Sequence, residues 1–247
     1  MLTLGGAAAL FLLAHLLPAA PGVRPRLVAL LGERFYLAAY SALSLALLLF
    51  VAVAAIRAPA ILLWTAPAWA HVVPLAVMPF AFMLIGAGLA APNPLSVSLS
   101  TATFNPQAPG VAGVLRHPVL WGFGLWSAAH IPPNGVLGQA FFFAVMTAFA
   151  VAGGRRLDRK RRLTLGPEAW AAIDKARRAS SPRCLFEKRT LLGAAIGFFL
   201  YAGFLAYWHE LLFGVDPMQI GSGGQPAAPP AHASALTARF AVRTPFF

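Results

Sequence analysis

Long apolar stretches, separated by short polar or proline-containing segments, dominate the hydrophobic pattern of the chain. Each stretch approaches the roughly 20 residues that a helix needs to cross a bilayer. The pattern predicts six membrane-spanning helices: Leu2 to Pro21, Phe35 to Ile56, Trp69 to Ala91, His117 to Pro133, Val136 to Gly153 and Thr190 to Gly214. The sequence therefore predicts an all-α, polytopic membrane helical bundle.

The composition agrees with a membrane protein and excludes an ordinary soluble domain. Hydrophobic residues make up 59% of the chain and charged residues 11%, with a mean hydropathy of +0.73. Soluble domains carry about 25% charged residues. The single cysteine, Cys184, excludes an intrachain disulfide and a cysteine-based metal framework.

The basic residues that give the net charge of +12 are distributed as in a membrane protein, so this charge does not indicate a nucleic-acid partner. Twelve of the 19 lysines and arginines lie between Arg155 and Arg189, in the segment between the fifth and sixth predicted spans. Basic residues concentrate on the cytoplasmic side of membrane proteins. We therefore place residues 154–189 in the cytoplasm and both termini on the opposite side, with the lipid bilayer as the main partner.

The remaining segments complete the domain organisation. Residues 1–217 form the predicted transmembrane domain, and residues 218–247 read as a flexible tail because they are rich in Gly, Ala, Ser and Pro. Within the basic segment, Pro167 and Glu168 open a short amphipathic pattern that predicts a helix at the membrane surface.

Histidines are the candidate functional residues. Five of the six lie at or within apolar stretches: His15, His71, His117, His130 and His209; His232 falls in the tail. Ionisable side chains at membrane depth are costly and indicate a functional site by default. Imidazole is a common axial ligand of haem iron, which makes haem b the candidate cofactor. The alternative is that these histidines pack and donate hydrogen bonds to nearby carbonyl groups.

The order of several short motifs resembles the NnrU family of bacterial membrane proteins, which is related to 15-cis-zeta-carotene isomerase. The matching motifs are Ala14-His15 with Pro18, Gly32-Glu33-Arg34, Pro92-Asn93-Pro94, Arg116-His117-Pro118 with Trp121 and Trp126, Ala129-His130 with Asn134-Gly135, Leu165-Gly166 with Trp170, and His209 with Asp216-Pro217. The resemblance implies a multi-pass protein of the bacterial inner membrane, linked to denitrification and nitric oxide metabolism.

The isomerase relative is a b-type haem protein, and by motif its axial histidine pair falls on His15 and His130. The chain departs from that relative at Ser127, where the isomerase has a cysteine. Counted from the predicted cytoplasmic edge at about 1.5 Å per residue, His130 lies roughly 20 Å deep and His15 roughly 9 Å deep. His71 and His209 lie closer to the level of His130, so either could replace His15.

A second resemblance, to the isoprenylcysteine and phospholipid methyltransferases, concerns the predicted cytoplasmic face. In that group the histidine of the Arg-His-Pro motif helps to hold S-adenosylmethionine, which would assign Arg116 and His117 to a cofactor pocket. The chain departs from that group near Asp158, where the glutamate-containing motif usual in the group is missing. This departure weakens the methyltransferase hypothesis.

Three classes of function fit these residues. The first is a haem-binding protein, acting in nitrogen-oxide metabolism or as an isomerase-like enzyme on a small hydrophobic substrate. The second is a methyltransferase, and the third is a membrane accessory protein without a cofactor. The sequence leaves the reaction, the catalytic residues and the oligomeric state open.

Overall fold

Helices form nearly all of the regular structure in residues 1–20 and 22–220, which the structure, a computed structural model, describes. Their bounds are α1 Leu2–Leu16, α2 Val23–Leu31, α3 Glu33–Ile56, α4 Ala68–Ala90, α5 Val111–Val114, α6 Pro118–Ala129, α7 Leu137–Leu165, α8 Pro167–Arg178, α9 Lys188–Gly203, α10 His209–Phe213 and α11 Pro217–Ile220. A π-helical turn, Phe204–Trp208, joins α9 to α10. The all-α prediction is confirmed. Residues 221–247 of the predicted tail, including His232, lie outside the described residues.

Among the described residues, four helices are long and apolar enough to cross a bilayer: Glu33–Ile56, Ala68–Ala90, Leu137–Leu165 and Lys188–Phe213. The other two predicted spans are shorter helices, because α1 has 15 residues and α6 has 12. At 1.5 Å per residue, α6 covers about 18 Å, against about 30 Å of hydrocarbon. The predicted count of six spans is therefore not confirmed.

The contacts divide the described chain into two compact units. The first contains Met1–Ala66 and His130–Phe149. Here α1 packs against α3 through a stripe of buried residues at the three- and four-residue spacing of one helix face. The buried residues of α1 are Leu4, Ala7, Ala8 and Phe11.

In the first unit, the non-helical segment after α3 forms hydrogen bonds with the non-helical segment before α7. Leu62 and Val136 form an antiparallel bridge, and the indole N–H of Trp64 donates to the Pro132 carbonyl at 2.9 Å. The N–H of Leu137 donates to the Ile61 carbonyl at 2.8 Å. These bonds satisfy backbone groups that a bilayer could not.

Within the described residues, the second unit contains Pro67–Ala129 and residues 150–220, and in it α4 packs against both α6 and α9. Glycines allow the close approach, since a Cβ atom added to Gly86 would overlap the Gly193 carbonyl. On the α6 side, a Cβ added to Gly88 would meet the Pro118 side chain at 2.7 Å. Small residues at helix contacts are typical of membrane bundles, where packing replaces the hydrophobic effect.

A hydroxyl group from α9 repairs a gap in the hydrogen bonding of α4. Pro79 has no N–H, so the carbonyl of Leu75, four residues earlier, lacks its helical donor. The hydroxyl of Tyr201 donates to that carbonyl at 3.3 Å. Proline inside this span is therefore tolerated because a neighbouring helix supplies the missing donor.

Gly166 ends α7 and sets the start of α8. Its φ of 84° is a conformation that other residues rarely adopt, and Pro167 then occupies the first turn of α8. The predicted short helix thus forms. Its buried residues, Trp170, Asp174 and Arg177, share one face at helical spacing.

Candidate functional site

Pro118, the last residue of the Arg-His-Pro motif, begins α6. It restricts its own backbone and that of the residue before it. Pro118 is fully buried as the first residue of α6, where its missing N–H costs nothing. A residue that precedes proline is biased toward extended backbone. His117 therefore stands outside the helix, and the residue is buried, with an exposure of 8%.

Both ring nitrogens of His117 have partners within the second unit. Nδ1 lies 3.0 Å from the Ser96 hydroxyl, and Nε2 lies 3.0 Å from a carboxylate oxygen of Asp158. A carboxylate only accepts, so neutral His117 carries its proton on Nε2 and Nδ1 accepts from Ser96. Burial lowers the pKa of His117 below its ordinary value, and the charge of Asp158 opposes this only in part.

Arg116 joins two carboxylates from different helices. Its guanidinium donates two hydrogen bonds to Asp174 of α8, at 3.1 and 3.2 Å, and a third to Asp158 of α7. The same group lies 5.0 Å from the ring centroid of Trp170. Planar, bidentate pairing with aromatic stacking is the geometry that arginine provides and lysine cannot.

Asp174 accepts hydrogen bonds from arginines on both sides, two of which belong to α8. It also accepts from Arg177 at 2.7 Å and from Arg178 at 3.0 Å. Burial would raise the pKa of Asp174, but the hydrogen bond and charge of Arg177, with the charge of Arg116, outweigh it and hold that pKa below its ordinary value. We call Arg116, His117, Asp158 and Asp174 the polar cluster.

The side chains of the polar cluster already have hydrogen-bond and ion-pair partners. His117 has no ring nitrogen left for a cofactor, and Arg116 already contacts two carboxylates. A pocket for S-adenosylmethionine at these residues stays a prediction, but this geometry favours a cluster that ties α6, α7 and α8 together. A buried charge network of this kind is costly to break.

His15 lies in the first unit among aromatic rings. Its ring centroid is 4.3 Å from that of Phe11, 5.1 Å from Phe149 and 5.8 Å from Tyr40. Nδ1 lies 2.8 Å from the Phe11 carbonyl oxygen, which makes Nδ1 the protonated nitrogen. The ring therefore presents Nε2 as the atom with an available lone pair.

His130 belongs to the same unit and also contacts α7. Its ring stacks on Phe143 with centroids 5.0 Å apart, and its carbonyl accepts from the Asn134 side chain at 2.7 Å. Phe143 and Phe149 are six residues apart on α7, a rise of about 9 Å. The two predicted haem ligands thus contact one helix at different levels.

The other two histidines, His71 and His209, lie in the second unit. His71 is half-buried in the first turns of α4. His209 follows the π-helical turn, its Nδ1 lies 2.8 Å from the Val215 carbonyl oxygen, and its ring contacts Phe204 and Phe213. π-Helical turns occur frequently at functional sites.

Sequence reasoning missed three members of this arrangement: Ser96, Asp174 and Arg177. A usable signal existed for Asp174, because the chain has only seven acidic residues and this one lies in its most basic segment. An acid there, three and four residues before arginines, predicts ion pairing. Ser96 had no comparable signal, since its contact with His117 depends on the loop after α4.

Together, the apolar helices, the glycine-mediated packing and the buried polar cluster define a helical membrane protein. The family described as NnrU protein matches residues 3–217. The chain belongs to the NnrU family. No protein of curated function and no solved structure matches it.

Proposed function

We propose that this NnrU protein binds b-type haem in the membrane, with His15 and His130 as axial ligands. The observation that supports the proposal is the hydrogen bond made by the imidazole ring of His15. Metal-binding histidines commonly donate their second ring N–H to a backbone carbonyl, which orients the ring and fixes the tautomer. The contact from His15 Nδ1 to the Phe11 carbonyl, at 2.8 Å, is of this type.

The side chains around His15 are apolar, which suits a hydrophobic macrocycle such as a porphyrin. Phe11, Tyr40 and Phe149 supply aromatic, apolar surface around the imidazole. His130 contacts the same helix at Phe143, about 9 Å along α7 from Phe149, and would be the second residue to hold the haem. A bound haem would supply an iron centre for redox or nitrogen-oxide chemistry.

The proposed role is in nitrogen-oxide metabolism of a bacterial inner membrane, or in cis-trans isomerisation of a small hydrophobic substrate. In either role the chain would hold the iron away from water, because the imidazole of His15 is surrounded by aromatic rings. If the protein is an enzyme, we expect a haem-dependent isomerase or redox protein.

Reduced-minus-oxidised absorption spectra of detergent-purified protein test the proposal. We expect a b-type haem signal that is lost in His15→Ala and in His130→Ala, with His71→Ala and His209→Ala as matched controls. Loss in a control variant instead would move the site to the second unit. A protein purified without haem that does not take up added haemin would support the cofactor-free accessory class.

A further inference from the structure

The loop after α4 folds back along the last turn of that helix. The N–H of Leu99 donates to the Leu89 carbonyl at 3.0 Å, and the Ser98 hydroxyl donates to the Ala91 carbonyl at 2.7 Å. Leu89 is part of a candidate membrane span, so Leu99 lies level with the end of that span. The Leu99 side chain is 76% exposed. An uncovered leucine at this depth is suited to contact with lipid acyl chains.

Arg161 of α7 faces the same loop. Its guanidinium donates to the Ser96 carbonyl at 3.4 Å, while its Nε is buried without a hydrogen-bond partner among the described residues. Arg161 lies eight residues beyond Gly153, where the apolar part of α7 ends, a distance of about 12 Å. The headgroup layer of a bilayer is about 5–8 Å thick on each side, and the long Arg161 side chain, which leans toward the N-terminus of α7, can reach back to it.

A cleft of 270 Å³ lies between the loop and Arg161. Serine and asparagine side chains line it together with Phe104, and among the described residues Arg161 is the one charged side chain in the lining. The Ser100 oxygen accepts from the Ala102 N–H at 3.4 Å, which leaves the hydroxyl hydrogen of Ser100 for a ligand. Without a carboxylate in the lining, the cleft is electrostatically suited to an anion.

We propose that this cleft binds the phosphate group of an anionic phospholipid. Arg161 and the Ser100 hydroxyl would donate to the phosphate oxygens, and the exposed side chains of Leu99 and Val97 would contact the acyl chains. A free phosphate ion shares the headgroup chemistry but gains nothing from an exposed leucine at the edge of a span. The proposal is independent of haem binding.

Native mass spectrometry of the full-length protein with added phosphatidylglycerol tests this site. Arg159 is the matched control, because it lies on the same helix with an exposed side chain. We expect Arg161→Gln to weaken phosphatidylglycerol binding about tenfold more than Arg159→Gln, equal to about 1.4 kcal/mol, which is in the range of one charge-assisted hydrogen bond. Equal losses in both variants would overturn the proposal.

Two further measurements distinguish lipid from free phosphate and guard against misfolding. Leu99→Ser should weaken phosphatidylglycerol binding, and millimolar inorganic phosphate should neither stabilise the protein nor displace the lipid. Stabilisation by phosphate that depends on Arg161 would overturn the lipid assignment in favour of a free anion. If Arg161→Gln does not fold, Ser100→Ala replaces it, and lipid binding unchanged from wild type in that variant would contradict the site.

Discussion

His117 and Asp158 form a hydrogen bond of 3.0 Å in which the imidazole Nε2–H donates to the carboxylate. The ring is held neutral by burial although it faces an acid. This combination makes the start of α6 sensitive to acidification.

The first prediction concerns pH. The pKa of folded His117 lies below its ordinary value, chiefly because of burial, so the unfolded chain binds the proton more readily. The stabilising contribution is therefore complete above about pH 6.5 and is lost as the pH falls through the lowered value. Thermal unfolding in detergent at pH 7.5 and 5.5 should show a lower melting temperature at the acidic pH.

The His117→Gln variant provides the comparison for that measurement. Glutamine does not titrate, so the fall in melting temperature between the two pH values should be smaller than in the wild type. His209→Gln should keep the wild-type fall. An unchanged pH dependence in His117→Gln would show that another group is responsible.

The second prediction concerns Asp174. Asp174→Asn removes the negative charge that Arg116 and Arg177 share; Arg116 keeps Asp158, but the buried Arg177 loses its ion-pair partner. Breaking a buried ion pair in this way costs about 3–5 kcal/mol. We expect a marked loss of thermal stability and faster cleavage by trypsin within residues 154–189.

Glu168→Gln is the matched control for Asp174→Asn, because Glu168 lies in the first turn of α8 with an exposed side chain. It should change stability by no more than about 0.5 kcal/mol. Similar trypsin cleavage rates in the two variants would contradict the view that the polar cluster anchors α8.

The third prediction concerns Tyr201. Tyr201→Phe keeps the ring against Phe82 but removes the donor to the Leu75 carbonyl. The expected cost is about 0.6–1 kcal/mol, as for other hydrogen bonds between membrane helices. Tyr207→Phe, at a 64% exposed position, should leave the unfolding midpoint unchanged. Equal midpoints for both variants would mean that another donor replaces the hydroxyl.

The fourth prediction concerns orientation, which follows from the distribution of basic residues. In a Cys184→Ser background, a cysteine placed at Thr164 should react only with reagents that reach the cytoplasm. A cysteine at Thr65, exposed beyond the end of α3, should react from the outside. The reverse pattern would overturn the assignment of residues 154–189 to the cytoplasm.

The sequence predicted the long helices closely because their apolar runs contain few charges. The span predicted over Phe35 to Ile56 is the helix Glu33–Ile56, and the span over Trp69 to Ala91 is Ala68–Ala90. Hydropathy did not predict that α7 continues to Leu165. The arginines and lysines after Gly153 end the apolar stretch, but these residues favour helix, so α7 continues beyond the predicted span.

The site was predictable only in part, for a similar physical reason. An arginine and a histidine beside an apolar helix are visible in the local pattern, so Arg116 and His117 were identified. Asp174, the acceptor of Arg116, lies 58 residues away from it, and no local periodicity connects the two positions. The haem ligands His15 and His130 stay a prediction of the family resemblance.

The long separation between Arg116 and its acceptors has a consequence for biogenesis. Arg116 is synthesised 42 residues before Asp158 and 58 before Asp174. At about 5–20 residues per second, translation delays the second acceptor by about 3–12 s. Until Asp158 is synthesised, neither carboxylate partner of the Arg116 guanidinium exists, and lipid headgroups and water take their place. The start of α6 therefore reaches its final position late, and a chain truncated before α7 would expose it to membrane quality control.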